Sequence, residues 1–181
     1  MPEPIWRDRI STKCGIMVAL RPNKKREHDE NMTNPQFDWD FPNPHLHTIQ
    51  VAEADIDGMG HANNACYVVW CEQCAWSHSQ SLGLTVADYH RLDRGVAIRK
   101  ASYEYCLPTF ENEALRIGTW ITACDRKLRM ERRFQMINFA TGKTVLRGHW
   151  QVICVTLSSG KATRLPSEFI EAYGNAVIAP T

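Results

Sequence analysis

The sequence predicts an α+β domain: one long, largely apolar helix, followed by four strands in series that curl around it. Three observations carry this. From Asn64 to about Ser81, the residues Tyr67, Trp70, Cys71, Cys74, Ala75 and His78 recur three and four positions apart, and Val69 and Trp76 occupy the opposite side. A helix that is apolar nearly all round is a buried helix. Four extended segments then follow, at residues 95–106, 114–124, 130–138 and 144–156. Strands and helices do not alternate, which argues against a doubly wound parallel sheet, whereas consecutive antiparallel strands can cover one central helix.

The elements follow in order. Residues 1–35 read as a basic arm. Through Arg26 they hold seven Lys and Arg against two acids, a local charge of +5 in a chain whose formal net charge is +1. Such an excess over an irregular stretch fits a mobile terminus; Glu3 and Asp8 speak against a targeting peptide. The apolar run 14–20 suits a short edge strand or a subunit contact. The domain proper is expected over 36–181. Pro35, Pro42 and Pro44 forbid regular helix on entry. Residues 45–54 read as a strand with Ile49 and Val51 on one face. Residues 55–64 are loop, with Asn63 or Asn64 as helix cap and Gly83 as stop. A short irregular segment leads into the four strands, and Thr141-Gly142 turns the last hairpin. Pro166-Ser167-Glu168 opens a C-terminal helix through Tyr173, with Ser167 as its cap.

Composition narrows the function. The chain has 181 residues, 44% of them hydrophobic and 23% charged, enough for one core and too balanced for a nucleic-acid binder. No apolar run approaches the roughly 20 residues that span a bilayer. Seven cysteines, an odd number in apolar surroundings, read as reduced thiols of a cytoplasmic protein rather than a disulfide framework.

The densest chemistry is Asp55-Ile56-Asp57-Gly58-Met59-Gly60-His61-Ala62-Asn63-Asn64, between a strand and the start of the apolar helix. The first N–H groups of a helix have no intrahelical partner and carry the positive end of its dipole, so they can hold an oxyanion. Gly58 and Gly60 let the backbone turn tightly. Thioester hydrolysis needs a carboxylate that attacks or activates water, and donors for the oxyanion; it needs no metal and no organic cofactor. On composition alone, a loop whose Asp and Asn side chains merely cap fits as well.

The spacing Asp55-x-Asp57-x-x-Gly60-His61-x-Asn63-Asn64-x-x-Tyr67-x-x-x-x-Glu72 resembles the signature of hotdog thioesterases of the 4-hydroxybenzoyl-CoA thioesterase superfamily. Ala101-Ser102-Tyr103-Glu104-Tyr105, with Pro108 and Glu113, extends the likeness to about residues 45–158. The resemblance implies a hotdog fold and hydrolysis of an acyl-CoA or acyl-carrier-protein thioester, in a homodimer or homotetramer with the site at the subunit interface. It puts Asp57 on the catalytic carboxylate and the Asn64 N–H on the carbonyl donor, and gives Gly60, Asn63 and Tyr67 to substrate binding. It leaves Asp55 structural. His61 either orients water or substrate, or pairs with Asp55 or Asp57. Glu72 is either structurally paired on a buried helix or a second catalytic acid. Arg126 and Lys127, with Arg129, Arg132 and Arg133 nearby, resemble the edge that contacts the CoA nucleotide; a solvated basic turn is the alternative. Carrier-protein thioesterases have Asn where this chain has Met59, which weakens that branch. A hotdog hydratase and a non-catalytic thioester binder are the rival functions.

Other signals are set aside. Cys71-x-x-Cys74 lies mid-helix with no second ligand pair for zinc. Gly142-Lys143-Thr144 lacks the earlier glycine of a phosphate loop. The chain has no GxSxG elbow.

Overall fold

The computed structural model describes residues 37–178; the basic arm expected at 1–35 and the docking run at 14–20 lie outside them. In chain order the elements are β1 (His45–Gln50), a 3-10 turn (Glu53–Asp55), α1 (Asn64–Ser81), α2 (Val86–Leu92), β2 (Arg94–Tyr105), β3 (Ala114–Cys124), β4 (Arg129–Asn138), β5 (Thr144–Thr156) and α3 (Ser167–Asn175). The strands form one antiparallel sheet in the order β1-β3-β4-β5-β2. Strands β3, β4 and β5 are joined by tight turns; β1 and β2 take the two edges.

Helix α1 buries Tyr67, Trp70, Cys71, Cys74 and His78, one stripe at three- and four-residue spacing. The inner face of the sheet meets it with Leu115, Ile117, Thr119 and Ile121 from β3, and with Met130, Arg132, Phe134 and Met136 from β4, the period-two pattern of a strand. The outer face is covered near β3 by residues 37–44. Trp39 and Phe41 pack edge-on against Trp120, and Gln135 is tied to the Asp38 carbonyl and the Asp40 N–H. Gly118 allows this approach, because a Cβ there would stand 2.8 Å from the Trp39 ring.

Four expectations change. The segment between α1 and β2 is not irregular: Thr85 and Asp88 form a capping box, and α2 follows until Asp93 takes a left-handed conformation. The first strand ends at Gln50, ahead of a 3-10 turn. Ser167 is the first residue of α3, behind Pro166, and bonds Glu168 instead of capping. Helix α1 is not buried all round: Val69, Glu72 and Gln73 are exposed, so Glu72 does not sit in the core. Cys71 and Cys74 are fully buried, and burial pushes the Cys74 thiol up to about 12, as core packing of both thiols requires.

Among the described residues, one cationic side chain lies inside. Arg132 is 3% exposed. Its Nη1 donates to Nδ1 of His78 at 3.0 Å and to Thr119 Oγ1 at 3.3 Å. Since a guanidinium only donates, His78 must accept at Nδ1 and carry its proton on Nε2. Burial, then the Arg132 charge, then His45, which stacks on His78, push the His78 pKa down from 6.5 to about 3.

The folded chain therefore keeps His78 neutral where the unfolded chain protonates it. Between pH 6.5 and about 3 only the unfolded state takes this proton, so stability falls with falling pH by up to about 1.4 kcal/mol per unit from this group. His78→Gln, which keeps an acceptor for Arg132, is expected to flatten the slope. Urea unfolding of both proteins at several pH values in that window checks it; parallel slopes would contradict the assignment.

Candidate active site

The loop between β1 and α1 is built by its own acids. Asp55 Oδ2 accepts the Ala52 N–H at 2.9 Å, and the Asp55 carbonyl accepts the Asn63 N–H at 2.8 Å, so Asp55 holds the loop shut. Asp57 and His61 are joined by the backbone: the Asp57 N–H donates to the His61 carbonyl at 2.8 Å, and Gly60 N–H to the Asp57 carbonyl at 3.0 Å. Gly60 has φ +80°, a conformation glycine reaches without penalty.

Asp57 is half-buried and asymmetrically held. Its Oδ1 accepts the Met59 N–H at 2.8 Å and the His61 N–H at 3.4 Å; Oδ2 has no partner among the described residues. The His61 ring packs edge-on against Phe110, with centroids 5.3 Å apart, and its nitrogens bond neither Asp55 nor Asp57. Asn63 caps α1, its Oδ1 accepting the Ala65 N–H at 2.9 Å, and its carbonyl takes the Cys66 N–H. The N–H of Asn64, the first helical residue, has no acceptor among the described residues. Asp57, His61, Asn64 and Tyr67 line one cavity of about 250 Å³.

Tyr105 and Leu107 also line that cavity, and neither was assigned a site role from sequence. Tyr105 on β2 donates its hydroxyl to the Asn64 carbonyl at 3.1 Å and meets Tyr67 edge-on. Leu107 continues the wall. The aromatic alternation Tyr103-x-Tyr105 was the available signal.

The remaining candidates lie apart. Glu72 is exposed, makes no hydrogen bond or ion pair among the described residues, and stands eight residues into α1, about 12 Å along the axis from Asn64 at 1.5 Å per residue. Arg126 and Lys127 occupy the β3–β4 turn, at the opposite end of the sheet from Tyr105. Arg126 Nη2 caps the end of α3 through the Gly174 carbonyl and Asn175 Oδ1; Lys127 is exposed. Arg132, grouped with them by sequence, points inward.

A five-stranded antiparallel sheet wrapped on one long helix is the hotdog fold. The model of the thioesterase-like superfamily matches residues 51–173, and the chain belongs to that superfamily. Solved structures share the fold. One is a 1,4-dihydroxy-2-naphthoyl-CoA thioesterase from Synechocystis (19% identity, TM-score 0.66, 74% of this chain and 97% of that one). Another is a DHNA-CoA thioesterase from Staphylococcus aureus (23%, 0.67, 72% and 88%). A third is a Staphylococcus aureus protein in complex with CoA (16%, 0.68, 77% and 89%). No curated protein matches the chain.

Since Asn63 fixes where α1 begins, Asn63→Ala is expected to cost about 1 kcal/mol, within the 0.5–2 range for lost caps. Urea denaturation measures it; an unchanged midpoint would mean that the cap does not hold this helix start.

Proposed function

We propose that the chain hydrolyses an acyl thioester, with coenzyme A as the preferred thiol and a carrier protein as the alternative. The observation that carries this reading is the pairing, in one cavity, of a carboxylate oxygen of half-buried Asp57 that no described residue occupies, Oδ2, with the N–H of Asn64, which has no acceptor among the described residues. In this reading the thioester carbonyl accepts from Asn64. Asp57 takes a proton from water as the water oxygen bonds to the carbonyl carbon. The oxyanion collapses, the C–S bond breaks, and the thiolate takes the proton back from Asp57. Direct attack by Asp57, through an acyl-enzyme anhydride that water then opens, uses the same groups. Gly60 and Asn63 shape the approach, Tyr67 walls the acyl group, and His61, with its ring nitrogens uncommitted, orients water or substrate.

The site is read as belonging to a homodimer or a dimer of dimers. Strand β2 is a sheet edge exposed from Ile98 to Ser102, and Ile98 and Val69 are 48% and 41% exposed beside it, a face that a second copy would cover. Only across such an interface could Glu72, or the Arg126–Lys127 turn with the nucleotide end of CoA, share a substrate with Asp57.

Asp57→Asn keeps the loop acceptors and removes the base. It is expected to lower kcat by about 10²–10⁴, the usual worth of a positioned base, with the thermal midpoint unchanged. Thiol release from short, long and aryl acyl-CoAs measures it. Wild-type turnover retained in the variant would refute the role of Asp57; acyl-CoA binding without turnover in the wild type would favour a binder.

A further inference from the structure

A second cavity, of about 100 Å³, lies further along α1, between that helix and strands β2, β4 and β5. Its walls are mainly apolar, with Trp76, Val96, Ile98 and Val152 among them. Its base is Arg132, the buried guanidinium.

Burying a cation away from water costs several kcal/mol unless it is paired. Arg132 has no carboxylate within ion-pair distance among the described residues. Its neighbours are neutral: His78, Thr119, and the hydroxyls of Tyr89 and Tyr173. The two hydrogens of Nη1 are used by His78 and Thr119. Those on Nε and Nη2 are not used by any described residue, and together they form the edge of the guanidinium that fits two carboxylate oxygens side by side. Glu72 stands at the same cavity but is exposed and does not reach Arg132. Ser79 and Tyr173 are hydrogen-bonded to each other, and Tyr173 to Tyr89, so their polarity is already spent within the wall.

We infer that this cavity receives a carboxylate at the end of a short apolar stem, bound by the free edge of Arg132. The volume limits the stem: an engineered dry cavity of about 150 Å³ takes benzene, so this one suits a chain of a few carbons better than an aromatic ring. The carboxylate has two possible sources, the far end of a dicarboxylic acyl group whose thioester is held at the Asp57 site of a second copy across the β2 edge, or a free short-chain acid. In the first case the inference rests on the proposed hydrolysis; in the second it stands without it.

The test has two arms on the full chain. In the first, butanoate and its neutral isostere butanamide are titrated into wild type and Arg132→Met while the thermal midpoint is followed. Met replaces the buried cation with an apolar chain, a change that cores often accept. In the second, kcat/KM is compared for glutaryl-CoA and pentanoyl-CoA, equal in chain length and differing in the terminal carboxylate. Stabilisation by butanoate alone, lost in Arg132→Met, supports the site with a free acid as occupant. A tenfold or greater preference for glutaryl-CoA that Arg132→Met abolishes, with pentanoyl-CoA turnover kept, supports the acyl group as occupant. Butanoate binding without turnover of any acyl-CoA would refute the thioesterase reading and keep this one. If butanoate and butanamide act alike and wild type shows no glutaryl preference, the inference is overturned without recourse to the variant.

Discussion

Helix α1 lies with Tyr67, Trp70, Cys71, Cys74 and His78 against the inner face of the sheet, and both cavities depend on that contact. Burial of a large apolar side chain contributes about 1.5–3 kcal/mol, so a stripe of this kind fixes the helix axially and rotationally. Rotation decides which residues look outward, and Val69, Glu72 and Gln73 do. Axial position decides where the first helical N–H stands, and Asn64 lines one cavity with Asp57. Had the helix slipped by one turn, about 5.4 Å, Asn64 and Asp57 could not line one cavity.

The same packing surrounds Arg132 with groups that cannot neutralise it. His78 is kept neutral by burial and by the guanidinium itself, and tyrosines Tyr89 and Tyr173 are buried beside it, where desolvation raises Tyr89 well above its ordinary value. Two effects oppose each other here: desolvation penalises the charge, and three polar elements from α1, α2 and α3 are arranged to face it. An all-apolar filling of the same space would cost less. A core that retains the cation, and leaves one edge of it facing a void, is organised for something other than stability alone.

Much of this was legible in sequence, and the reasons differ by element. Helix α1 and its cap were readable because Asn63 and Gly83 bracket a run whose apolar residues recur three and four positions apart; the strands β3 to β5 were readable because turns with Asp125 and Gly142 separate long apolar alternations. Helix α2 was not, since seven residues give too short a window for periodicity, and its cap pairs Thr with Asp instead of Glu. The outward face of α1 was hidden by Val69 and Trp76, which made the helix look apolar all round; the adjacent Glu72 and Gln73 were the better guide. Arg132 was misjudged by counting charges near a turn instead of following register: Met130, Arg132, Phe134 and Met136 occupy alternate positions, and a strand places alternate side chains on one face. The engagement of Arg126 with α3 joins residues 48 apart in sequence, beyond any local pattern.

The two aspartates of the loop are held differently, a difference that composition cannot reveal. Both lie in the same ten residues, and either could act as a base. Asp55 Oδ2 is bound to the Ala52 N–H, and its own carbonyl fixes Asn63, the residue that caps α1; removing it loosens the frame. Asp57 is bound through Oδ1 to two backbone N–H groups, which fix its direction without occupying Oδ2. A carboxylate held on one oxygen and open on the other is oriented at little further entropic cost when it meets a substrate. Since the loop that aims Oδ2 also ends in the Asn63 cap, the proposed base and the proposed oxyanion donor are set by one short stretch of chain, and a thioester carbonyl need satisfy only one geometry to meet both.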